Sequence, residues 1–126
     1  MAPVSVRYIV NDVDQAIEFY RDALGFTVES HPAPGFASLS RGDLVLLLNR
    51  PGAGGAGQQS GGQEPAPGGW SRFQLEVPEL AVLVARLRAA GHRFRSDEII
   101  VGNGGNQILI EDPSGNAIEL FEPRAR

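Results

Sequence analysis

An α+β fold built from two copies of a β-α-β-β-β module is what this sequence predicts. Two observations carry that expectation. The same order of elements stands on either side of a glycine-rich stretch, and the residues that punctuate it recur at nearly constant offsets. Val10-Asn11-Asp12-Val13 matches Val77-Pro78-Glu79-Leu80, 67 residues on (77 − 10). Arg41-Gly42-Asp43 matches Ser114-Gly115-Asn116, 73 residues on (115 − 42). At 126 residues the chain is expected to be one domain with a real core, and the repeat is too short for a solenoid.

The first module is expected over about residues 4–50. Ser5 to Val10 is strand-like, and Asp12 to Leu24 reads as an amphipathic helix with Asp12 or Asp14 as N-cap and Gly25 at its end. Phe26 to Glu29, Phe36 to Leu39 and Leu44 to Leu48 follow as short strands. Residues 51–69, dominated by Gly, Gln, Ser and Pro, lack the apolar side chains a core needs and read as a mobile linker or long loop. The second module covers about residues 70–123. It has a strand over Ser71 to Val77, and a helix over Pro78 to Ala90 with proline at its start and Gly91 closing it. Strands over Arg93 to Arg95, Gln107 to Ile110 and Ala117 to Phe121 complete it. Gly102 to Asn106 is expected to be a flexible loop. It is not a phosphate cradle, because no helix follows it. Asp112-Pro113-Ser114-Gly115-Asn116 is a hairpin turn.

Composition narrows the function classes. Hydrophobic content of 42% and charged content of 21% are ordinary for a soluble globular protein. A net charge of −4 without a basic stripe leaves no footprint for nucleic acid. The absence of cysteine excludes a disulfide scaffold, a thiolate metal site and a cysteine nucleophile. No apolar run approaches the ~20 residues of a membrane helix, and no signal peptide is visible. A cytoplasmic protein with no membrane partner is the expectation. One residue stands out. Glu119 lies between Ile118 and Leu120 in an apolar strand, and a carboxylate there is costly to bury without a metal, a cation or a ligand.

Three segments together resemble a known family. They are Val10-Asn11-Asp12-Val13-Asp14-Gln15-Ala16-Ile17-Glu18-Phe19-Tyr20 with Leu24-Gly25-Phe26; Leu87-Arg88-Ala89-Ala90-Gly91; and Asp112-Pro113-Ser114-Gly115-Asn116 leading to Ile118-Glu119-Leu120. In this order they are similar to the vicinal oxygen chelate superfamily, which groups glyoxalase I, bleomycin-resistance proteins and extradiol dioxygenases. The resemblance implies paired βαβββ modules whose curved, mixed sheets form a cup, often completed by a second subunit in a homodimer. In metal-dependent members it also implies a divalent ion held by residues on the first and last strands of each module. Transferred to this sequence, those positions are Ser5, Leu46, Arg72 and Glu119, with Leu46 opposite Glu119 by the 73-residue offset (119 − 46). Only Glu119 is a credible ligand, since arginine is permanently protonated and leucine has nothing to donate. A metal site, Glu119 apart, is therefore not expected, and no cofactor is predicted.

Strand alternation names what shares the cup with Glu119. Ala117, Glu119 and Phe121 share one face; Arg72 and Gln74 share another; Ser5, Arg7 and Ile9 oppose Val6, Tyr8 and Val10. Leu44, Leu46 and Leu48 oppose Val45 and Leu47. The cup is then expected to be lined by leucines, Leu46 and Leu48 among them, and by Phe121, with Arg72, Gln74 and Glu119 as polar points. Arg72 and Glu119 are expected to form an ion pair able to orient a polar ligand. Trp70 is either a pocket lid or a dimer contact. His31, in a turn-rich loop near the cup mouth, is a candidate acid or base. The leading expectation is a metal-independent protein resembling bleomycin-resistance proteins, holding an apolar or aromatic molecule such as an antibiotic or toxic metabolite. Its ligand-binding residues would come from Ser5, Arg7, His31, Leu46, Leu48, Trp70, Arg72, Gln74, Glu119 and Phe121. The alternatives are a metal-dependent lyase, isomerase or dioxygenase with an altered metal site, and a dimerisation scaffold.

Overall fold

A computed structural model describes residues 4–57 and 61–124; the three glycine-rich-segment residues 58–60 lie outside it. Two four-stranded mixed sheets result, each accompanied by one helix, in strand orders β1-β4-β3-β2 and β5-β8-β7-β6. The strands are β1 Val4–Ile9, β2 Thr27–Ala33, β3 Phe36–Arg41, β4 Leu44–Asn49, β5 Gln74–Glu76, β6 Ile100–Val101, β7 Gly105–Glu111 and β8 Ala117–Pro123. The first strand of each module runs parallel to its last, β1 with β4 and β5 with β8, and the remaining pairs are antiparallel. The tandem βαβββ plan of an α+β fold is thus present. The chain forms two compact units. One holds the described residues up to Gly68 together with Pro113–Asn116, the other Gly69–Asp112 with Ala117 onward.

In the first unit, α1 spans Val13–Glu18 and widens into a π-helical turn over Phe19–Ala23. Asp12 caps it, its carboxylate accepting from the Gln15 amide at 3.0 Å. The wider turn buries two consecutive aromatics, with Tyr20 edge-on to Phe19 at 5.0 Å and to Phe26 at 5.4 Å. Val10, Val13, Ile17, Leu39, Leu46 and Leu48 complete that core. The turn before β8 also packs here. Asn116 donates to Ile9 O at 2.8 Å and accepts from the Gly68 amide at 2.8 Å, so its buried amide is satisfied at both ends.

In the second unit, α2 runs Leu80–Ala89, two residues later than the proline suggests. Glu79 sits at φ 48°, a left-handed conformation that costs about 1–3 kcal/mol for a non-glycine residue and ends any helix there. Glu122 from β8 accepts from the Leu80 amide at 3.3 Å and so caps the helix. Leu80, Val84 and Leu87 pack with Leu75, Ile108, Ile110, Ile118 and Leu120. Arg93 to Arg95 forms not a strand but a single bridge, Phe94 with Ile110. Gly102 to Asn106, expected to be a flexible loop, is the tight turn and start of the β6–β7 hairpin, closed by Gly102 N–H donating to Gly105 O at 2.9 Å. Gly105 admits no side chain, because a Cβ there would meet Glu122 O and the Phe121 ring. No helix among the described residues is long and apolar enough to cross a membrane.

Candidate functional site

The half of each sheet turned away from its helix is the open face, and register decides who stands on it. In β8, Ile118 and Leu120 are fully buried while Glu119 and Phe121 are half-buried, so the latter pair faces outward. Gln74 is registered with Glu119, and Leu109 with Glu119 from the other side. In β4 the buried apolar residues are Leu46 and Leu48, together with Tyr8 and Val10 of the first strand's segment. This corrects the expectation that Leu46 and Leu48 line the open face. Both face the helix, and Val45 and Leu47 take their places. The physical reason is a one-residue slip in the comparison of modules. Arg7 is registered with Leu47 as Gln74 is with Glu119, so the second offset is 72 (119 − 47), and a slip of one exchanges the two faces of a strand.

Around Glu119 the second unit assembles a polar cluster. Arg72 donates through Nε to Glu119 Oε1 at 3.1 Å, and its Nη2 lies 3.0 Å from the same oxygen. Gln74 Nε2 donates to the other oxygen, Oε2, at 2.7 Å. The ion pair expected between Arg72 and Glu119 therefore forms, and the carboxylate is engaged through both oxygens. Its side chain is 13% exposed against 31% for Arg72, so the acid is the more deeply set partner. Phe121, two residues on, stands beside Gly105 on the same face.

Sequence reasoning missed a second pair, Arg95 and Glu111. Arg95 Nε donates to Glu111 Oε2 at 2.9 Å and Nη1 donates to Gly69 O at 2.7 Å. The same guanidinium lies 4.6 Å from the centroid of the Trp70 ring, a cation–π contact. Trp70 is nevertheless 69% exposed, and its carbonyl accepts from Arg72 Nη1 at 3.4 Å. Arg72, Gln74, Glu119 and Trp70 thus come together, joined by Arg95 and Glu111. Alternation of Gln107, Leu109 and Glu111 along β7 could have placed Glu111 on this face from sequence; nothing local marked Arg95.

The remaining candidates belong to the first unit. Ser5 and Arg7 are exposed on the open side of β1. His31 lies within β2, not in a loop, and its Nε2 is 3.5 Å from Asp14 Oδ1, so it has an acid beside it. As for a divalent ion, the residues around Glu119 do not fit one. The carboxylate already accepts from a cation and an amide, and its neighbours Arg72 and Arg95 are donors only. Among the described residues no three His, Cys, Asp or Glu side chains are grouped to hold a metal.

Comparisons with known proteins agree with this architecture. No curated protein matches the chain. A lactoylglutathione lyase from Agrobacterium tumefaciens superposes with a TM-score of 0.73 at 22% identity, covering 94% of this chain and 91% of its own. TnmS3, an antibiotic binding protein from Streptomyces sp. CB03234, gives 0.68 at 21% identity, with 95% and 93% covered. The bleomycin-binding protein of Streptomyces verticillus, complexed with copper(II)-bleomycin, gives 0.65 at 17% identity, with 98% of both chains covered. At such identities the likeness speaks to the fold. The family model for the Glyoxalase/Bleomycin resistance protein/Dioxygenase superfamily matches residues 3–120, and the chain belongs to that superfamily.

Proposed function

We propose that the protein is a metal-independent binder of small molecules that carry an aromatic or apolar body and a polar group. The observation that carries this reading is the state of Glu119. Both of its oxygens accept hydrogen bonds, from Arg72 and from Gln74, so this acid is neither a free base nor an open ligand. What the cluster does offer is a fork of donors on Arg72 and a half-open indole. Arg72 can turn part of its guanidinium to a carboxylate or phenolate. Trp70 has Arg95 on one face and solvent around the rest of the ring, which suits stacking of a planar group. Phe121 and Leu109 supply apolar lining beside these polar points, the combination that holds and orients a small molecule. The solved antibiotic-binding relatives of the same fold support this reading without naming a ligand for this chain.

A thermal-shift screen of aromatic metabolites and antibiotics tests the reading, alongside metal analysis of protein purified without a histidine tag. Ligands with an acidic group on an aromatic body are expected to raise the melting temperature, by the equivalent of about 2.7 kcal/mol at a hundredfold excess over Kd. A chelator is expected to leave the melt unchanged. Stoichiometric zinc, nickel, iron or manganese, together with a large drop in melting temperature on chelation, would overturn the proposal in favour of a lyase, isomerase or dioxygenase. The binding reading also predicts that Trp70→Ala lowers ligand affinity about tenfold while leaving stability within about 0.5 kcal/mol, as expected for an exposed side chain.

A further inference from the structure

The sequence holds five asparagines, and only Asn103 is followed by glycine. The structure separates it from the others further. Asn49 and Asn116 are buried, Asn106 is registered with Glu122 inside the β7–β8 ladder, and Asn11 precedes the capping Asp12. Asn103 and Gly104 instead stand exposed at the tip of the β6–β7 turn. That turn is held by three bonds around them. Gly102 N–H donates to Gly105 O at 2.9 Å, Arg124 N–H to Gly104 O at 3.0 Å and Arg124 Nη2 to Gly102 O at 3.0 Å.

None of the three uses the Asn103 side chain or the Gly104 N–H, and neither group has another hydrogen-bond partner among the described residues. Nothing crowds Gly104 either: a Cβ there would meet no atom within 4 Å. Glycine at 102, 104 and 105 leaves the backbone free to reach unusual conformations. The strand leading into the turn, β6, is two exposed residues at the edge of its sheet, so local opening there breaks few contacts.

We propose that Asn103–Gly104 is a self-modification site, at which the chain ages from asparagine to aspartate and isoaspartate. The Gly104 nitrogen attacks Cγ of Asn103, and the new N–C bond closes a succinimide ring. The side-chain NH2 leaves as ammonia, taking the proton that the Gly104 nitrogen gave up. Water then opens the ring. Attack at Cγ restores the main chain with an aspartate side chain. Attack at the Asn103 main-chain carbonyl leaves the chain running through Cγ, as isoaspartate. Either product sets a new carboxylate in a turn held by the Arg124 guanidinium, a charge change of the kind that re-pairs local cations. Isoaspartate also adds one carbon to the main chain and so works against the Gly102–Gly105 and Arg124–Gly104 bonds. Gly105 abuts the Phe121 ring, which puts the change at the margin of the face that carries Glu119. The chemistry needs no ligand there, so this inference and the proposed function can fail separately.

Prolonged incubation of the folded protein at physiological temperature, followed by peptide mass spectrometry, tests the assignment. Conversion is expected at Asn103 alone. An isoaspartate-specific methyltransferase reports one product, and the Asn103→Asp variant is the standard for the other. Gly104→Ala is expected to slow conversion roughly tenfold or more, because the added Cβ shields the nitrogen and narrows its backbone. Asn103→Gln, which would have to close a larger ring, should stay intact over the same period. The isolated isoaspartate form should exchange the Gly102 and Arg124 amide hydrogens faster than the parent protein. An Asn103 that survives in the folded protein for as long as the denatured chain takes to convert would overturn the proposal. So would conversion that is as fast in Gly104→Ala, or that spreads equally to Asn11 and Asn106.

Discussion

The two modules share one strand order and differ in what their open faces hold. In the first, β4 presents Val45 and Leu47, and the cation of β1 rests on a glycine backbone. In the second, β8 presents Glu119 at the position registered with Gln74, and two arginines are matched by two acids. The helix-facing layers, by contrast, are equivalent: Leu46 and Leu48 in one, Ile118 and Leu120 in the other, all fully buried. A duplicated fold thus needs its apolar layer twice and its polar face only once. The core is set by packing that both copies must solve, while the open face is free to diverge into ion pairs in one copy and an apolar surface in the other.

The sharpest way to break this comparison is to probe the register on which it rests. Leu46→Ala opens a cavity in a closed layer and is expected to cost about 2–5 kcal/mol. Leu47→Ala removes a half-buried side chain from the open face and should cost under about 1.5 kcal/mol, in line with partial loss of burial. Chemical denaturation of both variants checks the pair. Similar costs, or the reverse order, would mean that the strand presents its other face.

Next in size is the turn before the last strand. Its counterparts Asp43 and Asn116 occupy matched positions, yet Asp43 is exposed and Asn116 is buried with two hydrogen bonds. Asn116→Ala leaves the Ile9 carbonyl and the Gly68 amide without their partner and is expected to cost about 1–3 kcal/mol. Asp43→Ala should stay within about 0.5 kcal/mol. Equal effects would show that the turn is merely a turn in both modules. Smaller again is the pair at the site. Arg72→Ala removes one partner of a carboxylate that keeps Gln74, so about 1 kcal/mol is expected, with the pair's partial exposure discounting the rest. Replacing both, Arg72→Met with Glu119→Leu, should recover most of that stability. A double variant no more stable than Arg72→Ala would show that the pair holds the face together.

Much of this was legible in the sequence, for identifiable reasons. Alternation and turn residues marked both modules, and Asp12 was readable as a cap because a short acidic side chain before an apolar helix has that use. The Arg72–Glu119 pair was legible because a strand acid needs an answer and a cation stood at the matched position. Leu46 and Leu48 were misplaced because an apolar run such as Leu44 to Leu48 has no polar residue to report which side faces out. The turn offset of 73 and the strand offset of 72 differ by one residue, which in a strand is the whole of the answer. Arg95 stayed hidden for another reason. Its partners Trp70, Gly69 and Glu111 lie 25, 26 and 16 residues away, beyond any local pattern, and its segment forms a bridge where a strand was expected. The turn over Gly52–Gly57 was unreadable because a glycine-rich composition reports freedom and says nothing of where the backbone comes to rest.

The smallest expected effect separates an ion pair made by the fold from one made by the chain. Arg21 and Asp22 are adjacent in sequence and bonded at 2.8 Å on an exposed turn, whereas Arg72 and Glu119 are brought together across 47 residues. The Arg21 hydrogen bond, aided by its charge and opposed by slight desolvation, holds the Asp22 carboxyl below its ordinary range. A carboxyl lowered in the folded state contributes stability above its unfolded pKa and loses it as pH falls through the folded one. Neighbours in sequence can meet in the unfolded chain as well, so the difference between the states is small, and exposed pairs are weak in any case. Asp22→Asn is therefore expected to leave the acid-unfolding midpoint unchanged. Acid titration of the parent protein and the variant, followed by circular dichroism, measures it. A midpoint moved to higher pH in Asp22→Asn would show that this pair, too, is made by the fold and lost with it.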